Sequence, residues 1–575
     1  MQKSRFLLVG FAFALACGTA SVVNRAYVGL EGAVTGLLGT LVLQLNEAEN
    51  LTITEDGDFV FDTRLEKGTD YKISVISQPE KQNCTITGGE GTIESADSPT
   101  ISVACLDGDY SVGGTVSGLL GSLVIQNNSG DDLTITSDGD FSFPTPSSRD
   151  ANYSVSILNQ PRFQNCVVSG GSGTISTDVT TISIACTIQP MVAAGGDHIC
   201  ALSSAGKVRC WGSSSSGQTG YGLTTAIGDD ELPSSMGDVD VGGTVLQLAS
   251  GFNHTCVLLA TGAVRCWGSG SNGKLGYGNT ENIGDNESPR TAGDVSLGGK
   301  AIQVSAGDAS TCALLESGKV RCWGWGTYGK NGQGNTNNIG DDELPSSVPE
   351  VNVGGKVTQI FSGPRSAHSC AVLETGALRC WGYGAGGALG YGNTDNIGDN
   401  EEPASAGDVN IGGTVKHVAV GAGSTCALLT TGAIRCFGRN TNGQLGAGNV
   451  TNTSTPGSDV DVGGEVASLS MGDEHACALF KNGAVRCWGY GDSGRLGYGN
   501  VNNIGDDELP ATAGDVSLGA TAVAVSAGWD FSSALLSDGS IRAWGHGRMG
   551  RLGYGNTNKI GDDEVPSSVN TVSVW

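Results

Sequence analysis

Cys256 and Cys266 stand ten residues apart in the run Cys256-Val-Leu-Leu-Ala-Thr-Gly-Ala-Val-Arg-Cys266-Trp-Gly. Two thiols at that spacing can form a disulfide or contribute to a metal site. The Thr-Gly step between two short apolar runs is a β-hairpin signal, and folding there sets the two cysteines opposite each other. The same phrase and spacing recur at Cys200 and Cys210, Cys312 and Cys322, Cys370 and Cys380, Cys426 and Cys436, and Cys477 and Cys487. A seventh copy, from Ser533 to Ala543, has lost both cysteines together. Joint loss is the behaviour of a bonded pair, since a lone partner would be a reactive thiol. Six cross-strand disulfides are therefore expected, a pairing that facing strand positions permit without guaranteeing.

Other chemically capable residues repeat with the hairpin. His198, His254, His368 and His475 each lie two positions before the first cysteine. Structural zinc takes four ligands with short paired spacings, and one His-x-Cys per repeat with the cysteine engaged does not supply them, so no metal is expected there. An acidic loop occurs at Asp229/Asp230/Glu231, Asp285/Glu287, Asp341/Asp342/Glu343, Asp399/Glu401, Asp506/Asp507/Glu508 and Asp562/Asp563/Glu564. Calcium takes oxygen ligands from such loops, but the alternating carboxylates of a calcium loop are missing. A solvated turn, with Ile packed inward and Pro stopping the chain, is the expectation. Arg209, Arg265, Arg321, Arg379, Arg435, Arg486 and Arg542 precede the second cysteine position in all seven copies. A residue kept in every repeat reads as framework, and these arginines are expected to clamp neighbouring repeats through loop carbonyls or a carboxylate of the next repeat. Trp325, Trp529 and His546 depart from the consensus and are the candidates for recognition. No Gly-x-Ser-x-Gly, phosphate-loop or His-Glu-x-x-His motif is present, so no catalytic residue and no cofactor is expected.

The elements that must carry these residues are strands. The chain has 575 residues, 93 of them glycine, with only 15% charged, a composition suited to short strands and tight turns. Its net charge is −27, with both the first 190 residues and the remainder acidic, which disfavours nucleic acid as a partner. Lys3 and Arg5, the apolar run Phe6 to Ala16 and Ala14-Leu15-Ala16-Cys17 form an export signal over 1–17. Cys17 after that run resembles a bacterial lipobox, which implies lipidation at Cys17, with plain secretion as the alternative. The only membrane contact expected is that anchor. Of seventeen cysteines, twelve lie in hairpins, Cys84 is expected to pair with Cys105 and Cys166 with Cys186, and Cys17 is the odd one. Paired cysteines fit an oxidising compartment. The expected location is the outer membrane or cell surface, or else the periplasm or medium.

Residues 27–106 and 108–187 are two copies of one unit: Val34-Thr-Gly-Leu-Leu-Gly matches Val116-Ser-Gly-Leu-Leu-Gly, and Leu51-Thr-Ile-Thr matches Leu133-Thr-Ile-Thr. Period-two alternation and Asp-Gly turns predict a small antiparallel β-sandwich for each. They resemble the immunoglobulin-like modules of bacterial surface stalks. From 191 to 575 equivalent cysteines recur at 56, 56, 58, 56 and 51 residues, with four strand signals per repeat and no helical stretch. That period predicts a β-propeller. The matching phrases are His-x-Cys-Ala-Leu, Gly-x-Val-Arg-Cys-Trp-Gly and Asn272-Gly-Lys-Leu-Gly-Tyr-Gly-Asn279. On them the chain resembles the regulator of chromosome condensation repeat family, in an exported bacterial branch, which implies a seven-bladed propeller.

The fold class is thus all-β, a seven-bladed propeller preceded by two sandwiches. The chain's two propeller ends are expected to meet in one blade, because closure removes exposed edges. Exported members of the family include a protein inhibitor of β-lactamase, so the resemblance implies protein binding. The expected function is a monomeric, non-enzymatic surface protein, its propeller taking a protein or glycan partner through its loops and its sandwiches serving as spacer. A surface lyase or hydrolase with a site at the central channel, and a calcium-dependent adhesin, are the alternatives.

Overall fold

The computed structural model describes residues 27–575, so the export signal and Cys17 lie outside the described residues. The chain divides into two compact units. One holds the residues up to 117 with 122–159 and 167–185; the other holds 118–121, 160–166 and 186–575.

In the N-terminal region each repeat makes two four-stranded sheets. In the first repeat Leu41–Leu45 shows why they face each other: Leu41, Leu43 and Leu45 are buried while Val42 and Gln44 are not, the period of a strand with one covered face. Their partners in the core, Leu30, Val34, Phe61 and Val103, come from the other sheet. The first and last strands of the repeat, Tyr27–Thr35 and Ile101–Asp107, pair in parallel. Cys84 bonds Cys105 across the edge of that sheet, and Cys166 bonds Cys186 in the second repeat.

The second unit contains seven three-stranded antiparallel sheets, one per repeat, from Met191–Ala194 to Ile541–Gly545. Blade 2 is representative. Its first strand, Val245–Ser250, lines the axis; its second, His254–Leu259, is buried at every position, as a strand covered by a blade on either side must be. The third, Val264–Gly268, returns after Gly262, whose φ of +84° suits the turn. Register sets Cys256 directly opposite Cys266, and the two are bonded. The other five hairpins repeat the arrangement. Cys200 is bonded to Cys210, Cys312 to Cys322 and Cys370 to Cys380. Cys426 is bonded to Cys436 and Cys477 to Cys487. All six pairs have Cα separations of 4.0–4.1 Å, as expected of facing strand positions brought together by the turn. The expected fourth strand is reduced to an outer segment on one ladder bond per blade, such as Val295 N–H to Val264 O at 2.8 Å. The segment is too short for more, with Val295 and Leu297 held by burial instead.

Each blade docks on the next through repeated polar links. The Trp267 ring is fully buried and its Nε1–H donates to Gln218 O of blade 1 at 3.0 Å. Trp323, Trp381, Trp488 and Trp544 make the same bond to the blade before. The ring closes with one more copy, Trp211 Nε1–H to Arg551 O at 3.0 Å. Ser526 Oγ accepts from Ala194 N–H at 2.9 Å and Ser573 O from Ser234 N–H at 3.0 Å across the same seam. The two ends do not share a blade, contrary to the expectation from sequence. Val572 pairs with Ile541 of its own repeat, so every blade is contiguous and closure rests on contacts between the last blade and the first, not on a shared sheet.

The repeated histidines belong to this framework. His198, His254, His368 and His475 send Nε2 to a hydroxyl of the following blade, Thr255, Thr311, Thr425 and Ser532, at 2.8–2.9 Å. A Cβ on Gly195, Gly251 or Gly472 would meet the ring of His198, His254 or His475 at 2.2–2.5 Å, which explains the glycine before those three hairpins. Burial holds His198 and His368 at about 4, His475 at about 3 and His254 well below the usual value. These values lie below that of an unfolded imidazole, so the unfolded chain binds more protons in between. The stability they contribute is complete above pH of about 6.5 and is lost as pH falls toward 4. Melting temperature should decline over that window. His254→Ser, the residue found at the equivalent Ser310 and Ser424, should flatten the decline; an unchanged slope would remove the histidines as its cause.

Candidate interaction face

In each blade the first strand runs to a loop, the second runs back and the third returns. The first loop and the residues after the third strand therefore lie at one end, and the hairpin turns at the other. The hairpin turns repeat as a small or polar residue followed by Gly, such as Thr261-Gly262, Thr375-Gly376 and Asn482-Gly483. At the opposite end the first loops and the positions just after the third strands vary from blade to blade. The first loops there present Phe252, Asp308, Arg365, Asp473 and Trp529; the third-strand exits present Trp325, Tyr383, Arg439, Tyr490 and His546. The backbone beneath is nonetheless constant. In all seven blades the residue after the third strand donates its N–H to the first loop, from Ser213 N–H to Asp197 O at 2.8 Å to His546 N–H to Asp530 O at 3.1 Å.

All three recognition candidates thus fall on this face. Trp325 lies under the Lys330 ammonium, 4.3 Å from ring centroid to Nζ, beside the Tyr328–Tyr383 pair at 4.4 Å. Tyr328 is exposed. Trp529 meets Phe252 edge-to-face at 5.5 Å near the axis. His546 is part of the seam: its Nδ1 accepts Arg548 N–H at 3.2 Å and its carbonyl accepts Arg551 Nε–H at 2.6 Å. Phe252, Arg365, Asp473, Tyr328 and Tyr383 escaped sequence reading. The available signal for Arg365 was the 58-residue spacing of its repeat.

The seven repeated arginines sit in the framework. Arg265 is typical, with Nε on Asp294 at 2.7 Å and Nη1 on Val241 O of the preceding blade at 2.7 Å. Arg209, Arg379, Arg435 and Arg486 reach back in the same way, and Arg321 and Arg542 serve carbonyls of their own repeat. The carboxylate partner is downstream in the same repeat, not in the next one as the sequence suggested. The reason is the outer segment, which doubles back along its own blade and brings that carboxylate to the third strand.

A cavity of about 680 Å³ runs along the axis between the first strands. Its walls are locked by amides: Gln247 takes Val304 N–H and gives to Val304 O, and Gln303 does the same with Ile360. Where the first strands begin, the Arg162 guanidinium of this same unit donates to Thr358 O at 3.1 Å.

The acidic loops form carboxylate triads in four repeats, with oxygens within 4.8 Å in Asp229/Asp230/Glu231, Asp341/Asp342/Glu343, Asp506/Asp507/Glu508 and Asp562/Asp563/Glu564. Burial and the adjoining aspartates raise the glutamate of each. The loop also has a packing role. Ile227 is buried, Pro233 is buried, and Gly228 approaches Gly550 of the neighbouring blade so closely that a Cβ would lie 2.6 Å from its oxygen. Millimolar calcium is expected to leave the melting temperature unchanged; a rise abolished by Asp342→Asn would favour the adhesin reading.

A ring of like sheets, its framework residues repeated and its variation gathered at one end, defines a repeat protein of the β-propeller type. The chain belongs to the RCC1-like domain family: that domain matches residues 229–574, and the regulator of chromosome condensation (RCC1) repeat matches 192–218. It is 31% identical over 314 residues to the ultraviolet-B receptor UVR8 of Arabidopsis thaliana, covering 54% of this chain and 67% of that protein. It is 28% identical over 327 residues to the human E3 ubiquitin-protein ligase HERC2, covering 56% of this chain but 6% of that protein. Among solved structures it is similar to that of Kap60 bound to yeast RCC1 (Prp20), with a TM-score of 0.50, 20% identity and coverage of 65% of this chain and 84% of that one. That likeness concerns the fold.

Proposed function

We propose that this is an exported, non-enzymatic protein whose propeller binds a protein or glycan partner through the variable face, as a monomer, with the sandwich repeats as an immunoglobulin-like spacer. The observation that carries the reading is the contrast within each blade: seven like backbone links carry Ser, Ser, Trp, Tyr, Arg, Tyr and His at one end, while the hairpin turns at the other keep a small or polar residue followed by Gly. A scaffold that only had to hold itself together would repeat at both ends. Half-buried and exposed aromatics with arginine are also the residues that anchor protein interfaces. Arg162 at the hairpin-turn end of the axis leaves the variable end as the better docking surface. Eight disulfides support an oxidising compartment outside the cytoplasm, and no described helix is long and apolar enough to cross a membrane. A lyase or hydrolase over the channel is the weaker reading. Asp473 and Glu474, acids at that mouth, are ion-paired with Arg365 and Arg439.

The test is affinity capture from envelope or host extracts with the full chain. A partner taken by the wild type should be lost, by roughly ten-fold or more, with Trp325→Ala or Tyr383→Ala, and kept with Thr261→Ala or Thr431→Ala in the hairpin turns. Loss with the turn variants alone would place binding at the other end.

A further inference from the structure

First loops of four blades, 2, 4, 6 and 7, meet at the axis on the variable face. Trp529 of blade 7 and Phe252 of blade 2 form an aromatic corner, at 5.5 Å and 66°. Asp473 of blade 6 closes the back, accepting the indole Nε1–H of Trp529 at 3.1 Å. Arg365 of blade 4 fills the corner, its guanidinium 4.8 Å from both ring centroids, while Arg548, held by Asp197, stacks on the Trp529 ring at 4.2 Å and stays there when Arg365 leaves. Two π-faces and a carboxylate around a planar cation are what recognition of a guanidinium or substituted ammonium group requires. We propose that Trp529, Phe252 and Asp473 form a binding cage for a cationic side chain of the partner protein, and that Arg365 is an internal occupant which that side chain displaces.

The proposal rests on the variable face being the binding face, and three features of Arg365 argue for an occupant over a structural tie. First, it is not a framework residue. It enters on two extra residues in repeat four, which is why that repeat is spaced by 58 residues where its neighbours have 56. Second, its hold on the acid is loose. Arg365 Nε stands 3.6 Å from Asp473 Oδ1, whereas the repeated arginines reach their aspartates at 2.6–3.0 Å. The first is a Coulomb contact; the others are charge-assisted hydrogen bonds. Third, the loop beneath is fixed and only the side chain must move. Ser366 N–H donates to Gly363 O at 2.9 Å, Ser366 Oγ accepts Gly363 N–H at 2.8 Å, and Ser366 O accepts Asp308 N–H at 3.0 Å. The last bond places Asp308 beside the loop, where its carboxylate can receive the released guanidinium. Exchange of one cation for another conserves charge in the cage, so displacement is close to neutral there and the partner's remaining contacts decide it. A chain of net charge −27 also draws cationic partners toward itself.

The experiment uses the full chain labelled with 5-fluorotryptophan. The Trp529 fluorine signal is assigned by its absence in Trp529→Phe. Nα-acetylated arginine amide is titrated as probe, with Nα-acetylated citrulline amide, a neutral isostere, as control. In Arg365→Ala the vacated cage should give a saturable Trp529 shift at millimolar concentrations of the arginine probe and none with the citrulline control. In the wild type the response should be weaker by roughly ten-fold or more, because Arg365 competes. A correctly melting Arg365→Ala that shows no saturable shift, or the same shift with both amides, overturns the cage. Should Arg365→Ala melt within the assay range, Arg365→Gln keeps the stem, removes the charge and is judged by the same two outcomes. Failure here leaves the Trp325 and Tyr383 capture result standing, so the cage and the face are tested separately.

Discussion

Replacing Arg551 by methionine should destabilise the propeller by about 3–5 kcal/mol. The guanidinium is wholly buried at the seam between the last blade and the first. It touches Asp197 of blade 1 and Asp530 of blade 7, each at 2.5 Å, and donates Nε–H to His546 O. Methionine keeps much of the stem, so the change isolates the charge. Two carboxylates, 21% and 12% exposed, would then face each other with Arg548 alone to balance them. A buried pair is most expensive when one member is removed, because the survivor stays desolvated. Arg551→Met combined with Asp530→Asn should therefore be more stable than Arg551→Met alone, read from melting temperature. Additive losses in the double variant would mean that the seam does not depend on this charge balance. Blade 6 carries a buried Arg495 at the equivalent position, but its carboxylate partner is Asp492 at 3.8 Å; the pair of close carboxylates around Arg551 is the feature of the seam.

Blade 7 should gain roughly 3 kcal/mol from Ser533→Cys together with Ala543→Cys. Ser533 and Ala543 face each other in the register that pairs the cysteines of the other blades, and both are fully buried. Closing a loop of about ten residues removes that much chain entropy from the unfolded state in the loop-closure account. The converse, Cys312→Ser with Cys322→Ala, gives blade 3 the sequence of blade 7 at those positions and should lose a similar amount. Intact mass must fall by the two hydrogens of the new bond, and the melting temperature must rise. A bond that forms without raising it would show that blade 7 does not limit stability. Because each blade's sheet packs only against the sheets on either side, the unstapled blade beside the seam is the expected starting point of unfolding.

The framework was legible in the sequence because it is repeated. Cys256 and Cys266 could be paired from spacing and turn chemistry, and so could Cys210, Cys380, Cys436 and Cys487 with the cysteines ten residues before them. Arg265 and Trp267 could be assigned to packing because every repeat keeps an equivalent. The fourth strand and the seam were read less well. Val295 and Leu297 have a strand's alternation, yet only Val295 enters a ladder bond, because burial and not pairing holds the segment. The C-terminal Val572 resembles the outer segment of any repeat, and sequence alone does not say whether it serves its own blade or the first.

From the order of residues alone came the seven units, their hairpins, the partner of each paired cysteine and the acidic character of the chain. These depend on local turn chemistry, composition and a fixed period. What only the tertiary structure decided is which variable residues are neighbours. Phe252, Arg365, Asp473 and Trp529 span nearly 280 positions of the chain and converge because a closed ring returns each first loop to one axis. Contacts between side chains in different blades follow from that closure, and no local pattern encodes them.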